Sequence, residues 1–259
     1  MKKLSILLFL TFALILGCSK DSNESETLKV DKTANLKSPG DSANDLLSDS
    51  KFKNLVIEIG YVTNFGPTET AISNFVDLLN DRAHKDNISI IYKELDSPEK
   101  DSLSIEEISD LEKENRTIFN NGDTLGLYIY FTDAPSNDDK PEEDLVTLGA
   151  VYRNTSMVIY EATIRKLAAR STLINNSTVE SATLNHEAGH LFGLVELGTP
   201  SVNEHQDPEA KSHCNVQNCL MRAELQFGWG MAKMLTSKNG AIPSFGVECI
   251  LDLQANGGK

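Results

Sequence analysis

The fold is decided by the stretch Ser177–Gly193, which reads STVESATLNHEAGHLFG. Inside it, His186, Glu187 and His190 form the pattern H-E-x-x-H. Residues four apart on an α-helix lie on one face, so both imidazoles can reach one tetrahedral metal ion. A carboxylate beside the first histidine can accept a proton from water that the metal activates. We therefore expect a helix that carries two ligands of a Zn²⁺ ion, with Glu187 as a general base.

The ends of this helix are also marked in the sequence. Ser177 or Thr178 can cap its N-terminus, because a hydroxyl oxygen at that position accepts a backbone N–H bond. Gly193 offers a stop, since glycine readily leaves the helical conformation. The alternative interpretation is a chance match on an ordinary helix, with both histidines as surface or core residues. The residues further along the chain decide between the two interpretations.

Beyond the helix the chain reads His213-Cys214-x-x-x-x-Cys219-x-Met221. Together with H-E-x-x-H-x-x-G, this string resembles the archaemetzincins, a family in the metzincin clan of zinc endopeptidases, with an insertion over about residues 194–212. The resemblance implies that His213 is the third zinc ligand and that Met221 forms a turn beneath the imidazoles. It also implies a zinc metalloendopeptidase, which hydrolyses peptide bonds with metal-activated water.

Two other residues compete with His213 for the third ligand position. Glu196 lies three residues after the glycine of the motif, where metzincins place a histidine or an aspartate, and it would make a gluzincin-like zinc hydrolase. His205 lies in the insertion and could reach the metal from a loop. Any of the three leaves a fourth position for water, as a catalytic zinc site requires. A non-catalytic surface binding protein with a structural zinc is the remaining alternative.

The cysteines suggest a disulfide beside this site. Cys214 and Cys219 flank a short loop and could form one in an oxidising compartment, although Cys249 could pair with either. Archaemetzincins complete a second, structural zinc with two further cysteines downstream, so the single Cys249 argues against a second zinc held by four thiolates. Several metzincins have a tyrosine two residues after the methionine, where this chain has Ala223.

The N-terminus has the character of a targeting segment. Two lysines precede roughly thirteen apolar residues, too few for a permanent membrane span. The run ends in Leu-Gly-Cys18, which resembles the lipobox of bacterial lipoproteins and implies lipidation of Cys18. We expect residues 1–17 to be a signal peptide, and residues 18–50, which are poor in large apolar side chains, to be a disordered tether. The expected location is the bacterial cell envelope, lipid-anchored at the outer membrane or the cell surface.

The net charge of the chain disfavours two kinds of partner. There are 24 Lys and Arg residues against 38 Asp and Glu residues, a formal net charge of −14. Such a balance disfavours nucleic acid and anionic membrane surfaces. The charge says nothing further about the substrate. The metzincin resemblance implies a protein or peptide substrate, and we also expect a membrane contact through the N-terminal lipid anchor and a monomer.

The remaining sequence, residues 51–259, predicts one catalytic domain with an upper lobe over 51–193 and a lower lobe over 194–259. Strands are expected over 54–62, 88–92, 126–131, 145–152 and 157–160, and helices after Thr68 and over 104–119, 231–235 and 247–254. This order predicts an α+β fold with a twisted, mixed five-stranded sheet and backing helices. The metzincin resemblance implies a zincin-like form of it, with the active-site helix and a smaller, mostly helical C-terminal lobe. The segment Leu148–Tyr152 is similar to the metzincin edge strand that pairs with a peptide, although an ordinary edge strand explains it equally well.

Overall fold

A computed structural model describes residues 31–170, 172–225 and 228–259 of the chain. The expected signal peptide over residues 1–17, the lipidation site Cys18 and the tether up to residue 30 lie outside the described residues. Among the residues that are described, no helix is both long and apolar enough to cross a membrane.

Five strands form one mixed sheet in the order β2-β1-β3-β5-β4. The strands are β1 (Asn54–Val62), β2 (Asn87–Leu95), β3 (Thr124–Phe131), β4 (Gly149–Arg153) and β5 (Ser156–Ile159). β1 pairs in parallel with β2 and β3, β3 pairs in parallel with β5, and β4 runs antiparallel to β5. β1 and β3 lie in the interior of the sheet, as their β-branched and aromatic residues indicate, because strands that are buried on both faces are rich in such residues. The strand β4 is left at one edge.

Seven α-helices accompany the sheet within the described residues. They are α1 (Ala43–Leu47), α2 (Glu69–Arg82), α3 (Ile105–Asn115), α4 (Glu161–Ala168), α5 (Asn176–Leu191), α6 (Gly228–Ser237) and α7 (Val247–Ala255). Thr68 caps α2 by accepting a bond from the Ala71 amide, and Ser104 with Glu107 forms a capping box at the start of α3. Both caps are visible in the sequence, because they depend on residues three apart.

The motif helix α5 runs through the middle of the molecule. Every residue from Val179 to Leu191 is buried, and α2, α4 and β4 all pack against the helix. Its cap is Asn175, whose side-chain oxygen accepts a 2.9 Å bond from the Thr178 amide. The prediction that Ser177 or Thr178 caps the helix is therefore wrong. Asparagine is as strong a cap as serine, so the helix begins two residues earlier than expected.

The expected tether is ordered where the structure describes it. Leu46 and Leu47 in α1 are 1% and 0% exposed, and Asn35 is fully buried. The Asn35 amide donates to Asn120 Oδ1 at 2.8 Å and to Thr155 Oγ1 at 2.9 Å. The prediction of disorder over residues 18–50 is thus wrong for residues 31–50, and the domain begins before residue 51. The average composition of this segment is polar and predicts disorder. The segment is nevertheless ordered, because two leucines at particular positions are buried and one asparagine amide is hydrogen-bonded.

The predicted fold class is confirmed. The molecule is an α+β protein with a mixed five-stranded sheet, backing helices and the motif helix. The expectation of a mostly helical C-terminal part is wrong, because α6 and α7 are separated from α5 by residues 194–222, which have no helix. Other differences lie at element ends. β4 begins at Gly149 and not at residue 145, and α3 ends at Asn115 and not at residue 119. The division into two lobes at residue 193 stays a prediction.

Candidate metal centre

Three histidines meet beside the sheet. His186 and His190 lie one turn apart on α5, and His213 comes from the loop that follows the insertion. One ring nitrogen of each residue lies within 4.8 Å of the other two. The ring centroids are 4.9 to 5.4 Å apart, and all three side chains are buried. The fold therefore brings residue 213 to the motif helix across the whole insertion.

Backbone carbonyls orient two of these rings. His186 Nδ1 lies 2.7 Å from the Leu220 carbonyl oxygen, and His213 Nδ1 lies 2.9 Å from that of Lys211. A carbonyl oxygen can only accept, so each Nδ1 carries the proton and each Nε2 keeps a free lone pair. This is the arrangement in which a histidine binds a metal ion through its second nitrogen.

The free nitrogens have no partner in the protein. Among the described residues, His186 Nε2, His190 Nδ1 and His213 Nε2 are buried without a hydrogen bond. A buried polar atom without a partner costs free energy, and each of the three histidines has one. A divalent ion that prefers imidazole ligands, such as Zn²⁺, would satisfy a convergent set of this kind.

The electrostatics of the site keep the imidazoles neutral. Burial, followed by the neighbouring His213, lowers the pKa of His186 to about 4. Burial also holds the pKa of His190 well below its ordinary value and lowers that of His213. A metal ion binds the neutral form of imidazole, so these ligands need to release no proton near pH 7.

Glu187 lies against the edge strand. Its side chain is 2% exposed and hydrogen-bonds to the backbone of Val151; burial raises the pKa of the carboxyl to about 8, and this bond partly opposes the rise. A Cβ atom on Gly149 would lie 2.9 Å from Glu187 Cγ and 3.0 Å from Thr183 Cγ2, so β4 can pass this close only because residue 149 is glycine. Glu187 does not belong to the group of mutually close ligand atoms. The Glu187 carboxyl is therefore not a fourth candidate ligand beside the three imidazoles.

Met221 packs directly beneath the motif helix. It is fully buried, and a Cβ atom on Gly189 would lie only 2.1 Å from its sulfur. Gly189 lies between Glu187 and His190, so any larger residue would displace either the sulfur or the helix at the site. The turn beneath the imidazoles that the archaemetzincin resemblance implies for Met221 stays a prediction.

Of the three candidates for the third position, the structure brings only His213 to the histidine pair. Glu196 is exposed, because the chain turns away from the site where α5 ends. His205 is buried elsewhere: its Nε2 lies 2.7 Å from Asp252 Oδ2 and its Nδ1 lies 3.2 Å from Cys214 Sγ. Neither residue belongs to the histidine group among the described residues.

The expected disulfide between Cys214 and Cys219 is absent. Both residues and Cys249 are buried free cysteines. The Cys214 sulfur faces His205, and the Cys219 sulfur lies 3.5 Å from that of Cys249. The short loop between Cys214 and Cys219 suggested a disulfide, but the sequence does not show that each sulfur also faces a residue from a distant segment.

Several contacts that shape the site have no counterpart in the sequence analysis. These are the Val151 backbone, the Gly149 close approach, the Leu220 carbonyl and the Asp252 carboxylate. Each acts through the backbone or across a long separation in sequence. No local pattern of residue types marks them, and only the glycine in a strand gives a weak signal of close backbone approach.

Comparison with known proteins adds a likeness to a solved structure. No protein-family model and no curated protein matches this sequence. Among solved structures, the chain is similar to the crystal structure of archaemetzincin from Methanopyrus kandleri, with 16% sequence identity and a TM-score of 0.44. The match covers 80% of this chain and 96% of that chain. A likeness of this degree carries no argument about function, which depends on the side chains of the metal centre.

Proposed function

We propose that the protein is a zinc-dependent metalloendopeptidase in which His186, His190 and His213 hold the ion and Glu187 is the general base. One observation carries the proposal: three buried imidazoles bring ring nitrogens within 4.8 Å of one another, and the residue next to the first of them is a buried glutamate. Structural zinc sites are closed by four protein ligands, whereas catalytic sites have three and an open position. Three histidines and an adjacent base match the catalytic pattern.

The chemistry divides between the ion and the protein. Zinc, when bound, polarises a carbonyl group and lowers the pKa of water to about 7. Glu187 then takes up the proton of the attacking water on its carboxylate and passes it to the leaving amine. Burial raises the pKa of the Glu187 carboxyl to about 8 and so favours its protonated form. A cation held nearby would oppose this shift and favour the carboxylate. The backbone of Val151 holds the carboxyl in place for both transfers.

The edge strand supports a peptide as the substrate. Val151 in β4 is in contact with the Glu187 carboxyl, so the side of β4 that faces away from β5 borders the metal centre. An extended peptide could pair with this free edge and bring a peptide bond to the site without dependence on its sequence. Side-chain pockets would then set the selectivity.

The cellular setting belongs to the same proposal. The apolar run that ends in Leu-Gly-Cys18 supports a lipoprotein anchored in the bacterial cell envelope, at the outer membrane or the cell surface. A monomeric catalytic body on such an anchor would meet protein or peptide substrates outside the cytoplasm. No nucleic-acid partner is expected for a chain with a formal net charge of −14.

Glu187→Gln tests the proposal most directly. General acid–base catalysis contributes roughly 10²- to 10⁴-fold to a rate, so we expect a loss of that order in the cleavage of a mixed peptide library followed by mass spectrometry. Bound zinc, measured by elemental analysis, should be unchanged, because the carboxyl is not part of the ligand group. The matched control is Glu196→Gln, which changes an exposed glutamate close to the motif and should cleave like the wild type.

Two results would contradict the proposal. If Glu187→Gln cleaved peptides as fast as the wild type, the carboxyl would not be the general base. If the zinc-loaded wild type cleaved no peptide while binding the ion tightly, the alternative of a binding protein with a structural zinc would stand in its place.

A further inference from the structure

A second group of metal-ligand side chains lies next to the first. His205, Cys214 and Cys249 offer ligand atoms within 4.8 Å of one another. Cys219 lies outside this group of three, but its sulfur is 3.5 Å from that of Cys249. Zn–S bonds of about 2.3 Å in a tetrahedron place two sulfurs roughly 3.8 Å apart. Each of the four side chains is at most 1% exposed. The spacing and burial are those of side chains around a shared ion.

We propose that His205, Cys214, Cys219 and Cys249 form a structural zinc site with three thiolates and one imidazole. The resemblance to archaemetzincins argued against a second zinc, because this chain lacks the cysteines for a four-thiolate site. The fourth ligand comes instead from His205, which lies in the insertion that the archaemetzincin string does not contain. The proposal therefore rests on this chain's own residues, and it does not depend on the proposed peptidase activity.

The histidine of this group is held by a buried carboxylate. His205 Nε2 lies 2.7 Å from Asp252 Oδ2, and Asp252 Oδ1 accepts a 2.7 Å bond from the Val202 amide. Asp252 lies on α7 and is fully buried. When the carboxylate takes the Nε2 proton in a hydrogen bond, Nδ1 keeps its lone pair and faces the Cys214 sulfur at 3.2 Å. A carboxylate that orients a ligating imidazole in this way is a regular feature of metal sites.

The sulfurs are surrounded by donors. Cys219 Sγ accepts bonds from the Gly246 amide at 3.1 Å and the Met221 amide at 3.4 Å. Cys214 Sγ accepts one from the Val216 amide at 3.4 Å. Such a setting stabilises negative charge on sulfur, which is the form in which cysteine binds metal.

The site would join three parts of the chain that are far apart in sequence. His205 lies in the insertion, Cys214 and Cys219 lie in the loop after it, and Cys249 lies on α7. Four protein ligands leave no position for water, so an ion there would hold structure and perform no chemistry. Because His213 directly precedes Cys214, the ion would also fix the loop that carries the third histidine.

Cobalt substitution tests this site separately from the histidine centre. In the full chain carrying Cys18→Ser, Co²⁺ bound by thiolates gives a thiolate-to-metal charge-transfer band, which the histidine centre cannot produce because it has no sulfur ligand. We expect two metal ions per chain in the parent protein. Cys249→Ser should lose the band and one ion, whereas His213→Ala should keep the band and lose the other ion.

The histidine has its own matched pair of variants. His205→Ala should weaken the band and lose the same ion as Cys249→Ser, and His84→Ala, which removes an exposed histidine, should leave both ions in place. If His205→Ala kept a full complement of metal and an unchanged band, the assignment of the fourth ligand would be overturned.

A thiol count covers the case in which the variants fail to fold. After denaturation without reductant, but with a chelator, the chain carrying Cys18→Ser should expose three reactive thiols. A single reactive thiol would mean that two of the cysteines form a disulfide, and the absence of a charge-transfer band with Co²⁺ would mean that no thiolate site exists. Either result would reject the site, and neither would affect the peptidase proposal, which Glu187→Gln tests through cleavage.

Discussion

Among the described residues, two buried groups of side chains could each bind a metal ion. They meet at the adjacent residues His213 and Cys214 and differ in what surrounds them. In the histidine centre, three ring nitrogens lack partners and a carboxyl lies beside them. In the cysteine–histidine group, backbone amides point at the sulfurs and a carboxylate holds the imidazole from behind. With three protein ligands, an ion in the first group keeps a fourth position for water, whereas four ligands leave none in the second. Ligand number and surroundings, more than ligand type, separate a reactive site from a structural one.

The two groups can be neighbours because adjacent side chains of an extended segment point to opposite sides. Cys214 forms an isolated antiparallel bridge with Gln206, and its amide donates a 2.7 Å bond to the Met221 carbonyl. In such a segment successive Cβ atoms alternate between faces. His213 therefore faces the motif helix, while Cys214 faces the insertion and α7.

The largest expected effect comes from removing a ligand of one centre alone. His213→Ala should lower the zinc affinity of the histidine centre by more than about 100-fold, since loss of even an outer-shell partner costs 10- to 100-fold. Peptide cleavage should disappear while the zinc of the cysteine–histidine group remains. Zinc content after dialysis against a weak chelator measures the first effect, and Glu196→Ala is the exposed control. If His213→Ala kept both zinc ions and full cleavage, His213 would not be a zinc ligand and the proposed difference between the two groups would be refuted.

A smaller effect is expected when the carboxylate behind the cysteine–histidine group changes. Asp252→Asn keeps the shape but removes the charge that orients His205, so zinc affinity there should fall about 10- to 100-fold. The histidine centre should keep its zinc and its activity. Competition with a chromophoric chelator measures both affinities in one experiment, and Glu248→Gln on the same helix is the control. Equal losses at both centres would mean that they act as one unit.

Met221 connects the two regions, and its contact with α5 predicts a loss of stability. Gly189→Ala would force a Cβ atom to 2.1 Å from the Met221 sulfur, so we expect overpacking to cost about 1–3 kcal/mol of unfolding free energy. In an exposed helix the same change would stabilise by roughly 1 kcal/mol. Urea denaturation gives the sign. Met221→Ala should cost less in the Gly189→Ala background than in the wild type, because it also relieves the overlap. A stabilised Gly189→Ala variant would refute the packing argument.

The smallest effect concerns a carboxyl on α5 that belongs to neither region. Burial, followed by the nearby Glu161, raises the pKa of Glu180 from 4.5 to about 7. The folded state therefore binds this proton more tightly than the unfolded state, so the contribution to stability is present below pH 4.5 and is lost as the pH rises to 7. Glu180→Gln cannot titrate, so its free energy of unfolding should fall less than that of the wild type across that window.

Urea denaturation on both sides of the window measures this difference. Glu196→Gln should follow the wild type, because that residue is exposed. Parallel curves for the wild type and Glu180→Gln would exclude Glu180 as the source of the pH dependence. The measurement also separates the pH dependence of folding from that of metal binding at either centre.

Much of the fold could be predicted because its signals are local. The strands β1 and β3 are marked by continuous apolar runs, and the caps of α2 and α3 are marked by residues three apart. The errors arose where a distant partner decides. Asn35 is ordered by Asn120 and Thr155, which no pattern near residue 35 reveals.

The sequence by itself determined the helix that carries His186 and His190, because a spacing of four residues is also a spacing of one turn in space. It also left three candidates for the next ligand and three possible pairings of the later cysteines. Only the tertiary structure brought His213 to the helix, left Glu196 in solvent and placed His205 among the sulfurs. The physical reason is that a helix converts separation along the chain into a fixed distance, whereas a loop does so only after both of its ends have packed.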